Sequence, residues 1–149
     1  MEHTMVEKGA FKVLGTRMVT PNGGGTWGVV KSDGSNERIK KLTGKYFDLG
    51  LCFGFDESGA NDYMCAIEWD QEETGGFQIY EYPPATWLIF KTQGKISEDV
   101  LGNLWFEINR DFLPQSQYGK CGLPTIERYI IWDEKKDECS MEVWIPVKA

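Results

Sequence analysis

Residues 123–133 read LPTIERYIIWD, a run that predicts a β-strand carrying one carboxylate. Its β-branched and aromatic residues favour a pleated, half-buried surface. Side chains alternate along a strand, so Glu127 is expected to share a face with Tyr129 and Ile131. Two interpretations are open. Either this face is solvated and Glu127 points into water, or Glu127 lies at the floor of an aromatic pocket that receives a cation.

The segments on either side of this strand predict a βαββ unit. Downstream, the polar turn EKKDEC at 134–139 leads to a second strand, SMEVWIPVK, at 140–148. Upstream, Ser97 is a good N-cap, and apolar residues then recur at three- and four-residue steps until Pro114, which predicts one helix. The strand ATWLIFKT at 85–92 precedes that helix. The order is therefore strand, helix, strand, strand.

The first half of the chain repeats this order. FKVLGTRMVT at 11–20 predicts a strand, and residues 27–42 predict a helical segment that is broken around SDGSN at 32–36. Two further strands, at 46–55 and 62–70, are separated by turn-forming residues and predict a hairpin.

These patterns predict one domain over residues 1–149, of α+β class, with duplicated βαββ units over about 9–70 and about 84–148. Two such units side by side are expected to form a curved antiparallel sheet with two main helices. Ligand sites favour places where units meet, so we expect a ligand cleft at the pseudo-two-fold axis.

Composition narrows the classes of function. With 16 Lys and Arg against 23 Asp and Glu, the net charge is −7, the wrong sign for a surface that attracts phosphates. We therefore expect no direct nucleic-acid partner. No apolar run approaches the length of a membrane-spanning helix, and the start has no signal-peptide pattern. We expect a cytoplasmic protein with no membrane partner.

The histidine and cysteine content also argues against several sites. His3 is the one histidine, and we expect it in a frayed N-terminus. The four cysteines form no CxxC pair and match no zinc spacing, so they are interpreted as reduced thiols. The sequence predicts neither a bound metal nor a cofactor, and it lacks the histidine that a Ser/His or Cys/His nucleophile requires.

Four segments of the second half resemble the GyrI-like, or effector-binding, family, which occurs alone or fused behind the DNA-binding segments of AraC-type and MerR-type regulators. They are a strand, a helix and its exit, and the two strands of a closing hairpin: YPPATWLIF, LGNLWFEINRDFLPQSQY, GLPTIERYIIWD and SMEVWIPVK. The first half matches more loosely. No segment before Phe11 is long enough for a helix-turn-helix, so a stand-alone member is expected.

The resemblance implies an aromatic-lined cleft that binds flat, apolar, often cationic molecules, with a glutamate of the "IE.Y" strand facing the ligand. That glutamate is Glu127. Arg128 departs from the family, which usually has an apolar residue there, and it could neutralise a nearby carboxylate. Tyr129 either orients Glu127 through its hydroxyl or packs at the rim.

Four further aromatic residues are candidates for ligand contact. Trp144 lies on the strand face opposite Met141, Val143 and Ile145, which suggests a binding wall. Trp87 and Tyr63 lie in strands that line the cleft in the family, and either could equally be core. Trp105, on the predicted helix, contacts ligand or packs at the seam between helix and sheet.

The first hypothesis for function is a binding protein for planar hydrophobic or cationic small molecules, which serves in xenobiotic sensing or sequestration. The alternative is an enzyme, because some stand-alone relatives hydrolyse reactive cyclopropane-bearing alkylating compounds. In that mechanism Glu127 is the general base that activates water, and Tyr63 polarises a carbonyl of the ligand. A third interpretation is an acidic surface that mimics DNA or contacts a topoisomerase. The oligomeric state is left open.

Overall fold

The computed structural model describes residues 1–21, 24–119 and 121–148. It divides the chain into two compact units. The first unit is Gly9–Pro84, and the second combines Met1–Lys8 with Ala85–Ala149. In chain order the elements are β1 (Thr4–Lys8), β2 (Phe11–Thr20), α1 (Gly25–Ser32), α2 (Ser35–Thr43), β3 (Leu49–Phe55), β4 (Asn61–Glu68), β5 (Gln78–Tyr82), β6 (Ala85–Gly94), α3 (Val100–Glu107), β7 (Thr125–Asp133) and β8 (Glu138–Val147).

The first unit has four antiparallel strands in the order β3, β4, β2, β5. The predicted helical segment is divided into α1 and α2. Gly34 has a φ of 89°, a left-handed conformation that suits glycine, and the Oδ1 of Asp33 accepts a 2.8 Å hydrogen bond from the Ser35 N–H. The break expected around SDGSN therefore lies between the two short helices.

The second unit has four antiparallel strands in the order β1, β6, β8, β7. Its helix α3 continues into a wider helical turn over Ile108–Phe112 and a tight turn over Leu113–Gln115. The N-cap that we assigned to Ser97 is wrong. Asp99 caps α3 by accepting the Gly102 N–H at 3.2 Å, and Ser97 donates instead to Asp137 in the β7–β8 hairpin.

Two short strands extend the predicted βαββ order. β1 pairs with β6, and β5 pairs with β2, so each unit holds one additional strand at an equivalent position. The expectation of a frayed N-terminus is wrong. The His3 ring lies 5.4 Å from the Phe90 ring and 4.9 Å from the Phe112 ring, measured between centroids.

The helix of the second unit defines two faces of its strands. Leu88, Phe90, Val143 and Ile145 are buried in one cluster with Leu104 and Ile108 of the helical segment. We call this side of β6, β8 and β7 the helix face of the second unit, and the other side its outer face. In the first unit the equivalent helix face carries Leu14, Tyr63, Cys65 and Ile67, which cluster with Val30 of α1 and Ile39 of α2.

The α+β class, the antiparallel pairing and the duplicated order of strand, helix, strand and strand are confirmed. None of the helices in the described ranges is both long and apolar enough to cross a membrane.

Candidate functional site

Glu127 is held by two aromatic hydrogen-bond donors of its own unit. The indole Nε1–H of Trp105 donates to Oε2 at 2.7 Å, and the hydroxyl of Tyr129 donates to Oε1 at 3.1 Å. Glu127 and both donors are half-buried. Both donors are electrically neutral, so they orient the carboxylate without cancelling its charge. The alternative in which Tyr129 orients Glu127 is the one that the geometry supports.

The register of β7 against β8 places this carboxylate on the helix face. Glu127 is the cross-strand partner of Val143, and Tyr129 is the partner of Met141. Directly opposed residues of antiparallel strands share a face, so Glu127 lies on the side where α3 packs. Trp105 reaches it from the last turn of α3, just before the wide helical turn at Ile108–Phe112. Such wide turns often occur at functional sites.

A β-bulge changes which residue follows Tyr129 on this face. The register of β7 shifts between Tyr129 and Ile131, and Trp132 then pairs with Cys139. Because the extra residue reverses the alternation, Trp132 shares the face of Glu127 and Ile131 turns to the other side. The assignment of Ile131 to the face of Glu127 is therefore wrong. The rings of Tyr129 and Trp132 meet edge to face at 5.7 Å.

Arg128 is directed away from Glu127. It lies on the outer face, where its guanidinium is 3.6 Å from Glu142 Oε1, and Lys91 Nζ is 3.8 Å from the other oxygen of Glu142. The carboxylate that Arg128 neutralises is therefore that of Glu142. This geometry removes the objection to a cation at Glu127 that the sequence raised.

The structure brings Trp87 and Trp144 together but places both on the outer face. Their ring centroids are 5.7 Å apart, and Trp144 Nε1 donates to Glu142 at 3.1 Å. Trp87 is fully buried. The second unit thus separates its predicted ligand contacts into two sets, with Glu127, Tyr129 and Trp105 on the helix face and the other two tryptophans on the outer face.

Tyr63 lies in the first unit, on the helix face of β4. It is 5% exposed, and its hydroxyl accepts a 3.0 Å hydrogen bond from Trp27 Nε1 of α1. The hydroxyl occupies the space where a side chain at Gly50 would lie, since a Cβ there would collide with it. Gly50 on β3 is therefore required for Tyr63 to adopt this position.

The described residues include no group of three or more His, Cys, Asp or Glu side chains that could hold a metal ion.

Comparison with known proteins decides the family. The GyrI-like small molecule binding domain matches residues 1–148. The chain belongs to this family. A comparison with curated protein sequences gives no match.

Solved structures share the fold of this GyrI-like chain. SAV2435 bound to tetraphenylphosphonium is similar with a TM-score of 0.78 and 19% identity, over 100% of this chain and 95% of the other. EcmrR in its complex with DNA is similar with a TM-score of 0.72 and 16% identity, over 99% of this chain and 57% of the EcmrR chain. A hydrolase from Listeria innocua is similar with a TM-score of 0.52 and 10% identity, over 99% of this chain and 92% of the hydrolase chain. At these identities the likeness concerns the fold.

The sequence did not predict three residues that contact the candidate site residues of this GyrI-like chain. They are Trp132, which contacts Tyr129, and Trp27 and Gly50, which lie against Tyr63. Trp132 was hidden by the bulge, which simple alternation does not reveal. Trp27 stands in the predicted helical segment with no pattern that indicates a role, although a tryptophan indole nitrogen needs a hydrogen-bond acceptor when it is buried. A glycine inside the apolar strand LGLCFGF was the available signal for Gly50, because such a glycine often marks a close approach.

Proposed function

We propose that this GyrI-like chain binds planar hydrophobic or cationic small molecules at Glu127, with broad specificity. The observation that carries the proposal is the half-buried carboxylate fixed by Trp105 and Tyr129. A carboxylate in a partly desolvated place attracts a cation more strongly than one in water, because the local dielectric constant is lower. Sensing or sequestration of foreign compounds in the cytoplasm is the role that we propose for this binding.

Three aromatic side chains supply the apolar part of the proposed site. Trp105, Tyr129 and Trp132 are positioned around or beside Glu127 on the helix face. Aromatic faces attract organic cations and also bury large apolar areas, about 150–250 Å² for each ring. A ligand that covers two or three rings can therefore bind with about micromolar affinity. Few directional contacts are involved, which is consistent with broad specificity.

The similar structure of SAV2435 supports the class of ligand. Its ligand, tetraphenylphosphonium, is a cation whose charge is enclosed by four aromatic rings. Such an ion has no N–H donor and needs only a negative charge and apolar walls. Glu127 with its aromatic neighbours offers both.

Titration with tetraphenylphosphonium tests the proposal. We expect saturable quenching of tryptophan fluorescence in the natural chain, and Glu127→Gln is expected to weaken binding by about 1 to 3 kcal/mol. Glu107→Gln is the matched control, because Glu107 is an exposed carboxylate on the same helix as Trp105. Equal affinities of the Glu127→Gln and Glu107→Gln variants would contradict a cation site at Glu127.

The hydrolase alternative uses the same carboxylate. Trp105 and Tyr129 orient the Glu127 carboxylate, and a carboxylate held in place is the kind of group that accepts a proton from water as a general base. Turnover of a cyclopropane-bearing alkylating compound is the measurement that distinguishes this reaction from binding.

A further inference from the structure

The first unit contains a cavity of about 420 Å³ at the end of its strands. It lies where β2 begins, where β4 ends and beside the last residues of β5. Its walls are Phe11, Lys12 and Ala10, then Glu68, Trp69 and Asp70, with Glu81 and Tyr82. None of the side chains that surround Glu127 lines it. Its volume lies in the range of small-molecule sites, roughly 300–1,000 Å³.

An aromatic row leads from this cavity across the outer face of the first unit. Phe11 and Tyr82 stack with ring centroids 4.8 Å apart and an interplanar angle of 15°. Tyr82 meets Tyr80 at 4.9 Å, and Tyr80 meets Phe53 at 5.0 Å. Burial raises the pKa of Tyr82, so its phenol stays neutral at physiological pH. Four aromatic rings therefore form a continuous row, and the two rings at one end of the row line the cavity.

The far end of the row already holds a planar cation. The guanidinium carbon of Arg17 lies 3.5 Å from the centre of the Phe53 ring. Asp62 accepts from Arg17 Nε at 2.9 Å and from Arg17 Nη2 at 2.8 Å, and hydrogen bonding to Arg17 lowers the pKa of Asp62. A flat, delocalised cation thus stacks on a ring while a carboxylate binds its edge, as such cations prefer.

The end of the row at the cavity, where Phe11 lies, also combines an aromatic ring with carboxylates. Glu68 is the cross-strand partner of Val13, two residues beyond Phe11 on β2, so Glu68 and Phe11 are diagonal neighbours on the outer face. Glu68, Asp70 and Glu81 are all exposed carboxylates of the wall. Lys12 also lines the cavity and contributes one positive charge. With three carboxylates and one ammonium, the lining residues have a formal charge of −2.

We infer that this cavity is a second ligand site, which binds a small aromatic compound carrying an amidinium or guanidinium group. The flat cation stacks on the Phe11–Tyr82 pair, and Glu68 or Asp70 accepts its N–H donors, as Asp62 does from Arg17. A small compound is the favoured source of this group because the cavity has the volume of a small-molecule site. The inference does not rest on the function proposed for Glu127.

Benzamidine, a phenyl ring that carries an amidinium, is the probe. Calorimetric titration at low ionic strength is expected to show saturable binding with a dissociation constant of about a millimolar or lower. The double variant Glu68→Gln/Asp70→Asn should lose about tenfold in affinity. Glu57→Gln/Glu98→Gln removes the same charge from two exposed positions outside the cavity and should change affinity less than twofold.

Each titration is repeated in the Glu127→Gln background, because benzamidine is itself a planar cation. Binding that survives Glu127→Gln and falls in Glu68→Gln/Asp70→Asn belongs to the cavity and supports the inference, whatever tetraphenylphosphonium does. Equal loss in the two double variants, or no saturable binding in the Glu127→Gln background, overturns it. Tighter binding of N-acetyl-arginine amide than of benzamidine overturns the choice of an aromatic compound and indicates a peptide arginine instead.

Discussion

At the scale of single residues, the carboxylates of Glu127 and Glu142 form a natural contrast. Each accepts a hydrogen bond from a tryptophan Nε1, Trp105 at 2.7 Å and Trp144 at 3.1 Å. Glu142 also lies within 4 Å of two cationic side chains and is 8% exposed. Trp105 and Tyr129, which donate to Glu127, are electrically neutral. The two carboxylates therefore have different roles, one in an ion-paired structural cluster and the other in the proposed ligand site.

The two tryptophans provide a matched pair of variants. Trp105→Phe removes the donor that orients Glu127, so we expect the affinity for tetraphenylphosphonium to fall by about 1 to 2 kcal/mol. Trp144→Phe removes an equivalent hydrogen bond on the outer face and should leave that affinity unchanged. Fluorescence and thermal unfolding of both variants are the measurements. Equal loss of affinity in both would place the ligand elsewhere.

Gly50 and Tyr63 are expected to be energetically coupled. Gly50→Ala puts a Cβ against the Tyr63 hydroxyl, so we expect a loss of about 2 kcal/mol or more in the free energy of unfolding. Tyr63→Phe alone should cost about 1 kcal/mol, because it removes the acceptor of Trp27 Nε1.

In the Tyr63→Phe background the cost of Gly50→Ala should fall, since the colliding oxygen is gone. Gly28→Ala is the control, because no atom lies within 4 Å of a Cβ at that position in α1. It should leave stability unchanged or raise it by up to about 1 kcal/mol. Strict additivity of the Gly50 and Tyr63 substitutions in chemical denaturation would argue against the proposed contact.

At the scale of elements, the pattern of apolar residues predicted the six strands of the two βαββ orders. It missed β1 and β5, whose sequences TMVEK and QIYEY are short and mixed in polarity. Their pairing with β6 and β2 is set by tertiary contacts that no local pattern encodes. Prediction of the candidate site from the sequence was limited for the same reason. Glu127, Tyr129 and Trp105 were predicted as ligand contacts, but their common face depends on the register of β7 against β8 and on the bulge after Tyr129.

The loop before α3 is tied to the β7–β8 hairpin by one carboxylate. Asp137 accepts from Ser97 Oγ at 2.5 Å and from the Ser97 N–H at 2.8 Å, and these hydrogen bonds lower its pKa. A lowered pKa in the folded state gives stability that is present above the ordinary value of 3.8 and is lost as the pH falls through the folded value.

Ser97→Ala should therefore destabilise the chain at pH 7, and its difference from the natural chain should shrink as the pH falls below about 4. Ser32→Ala is the control, because the Ser32 hydroxyl donates to the Val29 carbonyl, which does not titrate. Urea midpoints over pH 7 to pH 3 provide the measurement. A Ser97→Ala difference that stays constant across this range would mean that Asp137 does not contribute through its charge.

At the scale of the whole molecule, the net charge of −7 gives the chain an electrostatic field that attracts cations more than anions. The fold is similar to that of a tetraphenylphosphonium-bound structure and to that of a hydrolase from Listeria innocua, so the fold alone does not distinguish binding from hydrolysis. The choice depends on what Glu127 does to a ligand or to water.

Glu127→Gln separates the two functions because it keeps the shape and the hydrogen-bonding capacity of the side chain while it removes the charge and the base. If the chain only binds, the variant should have a lower affinity for cationic ligands and nearly the same affinity for neutral planar ligands. If it hydrolyses a cyclopropane-bearing alkylating compound, the variant should still bind a neutral one but lose about a hundredfold or more in turnover. We expect the binding outcome, since the aromatic donors at Glu127 orient its charge and the surrounding rings suit a cation. Turnover by the natural chain that Glu127→Gln abolishes would establish the hydrolase instead.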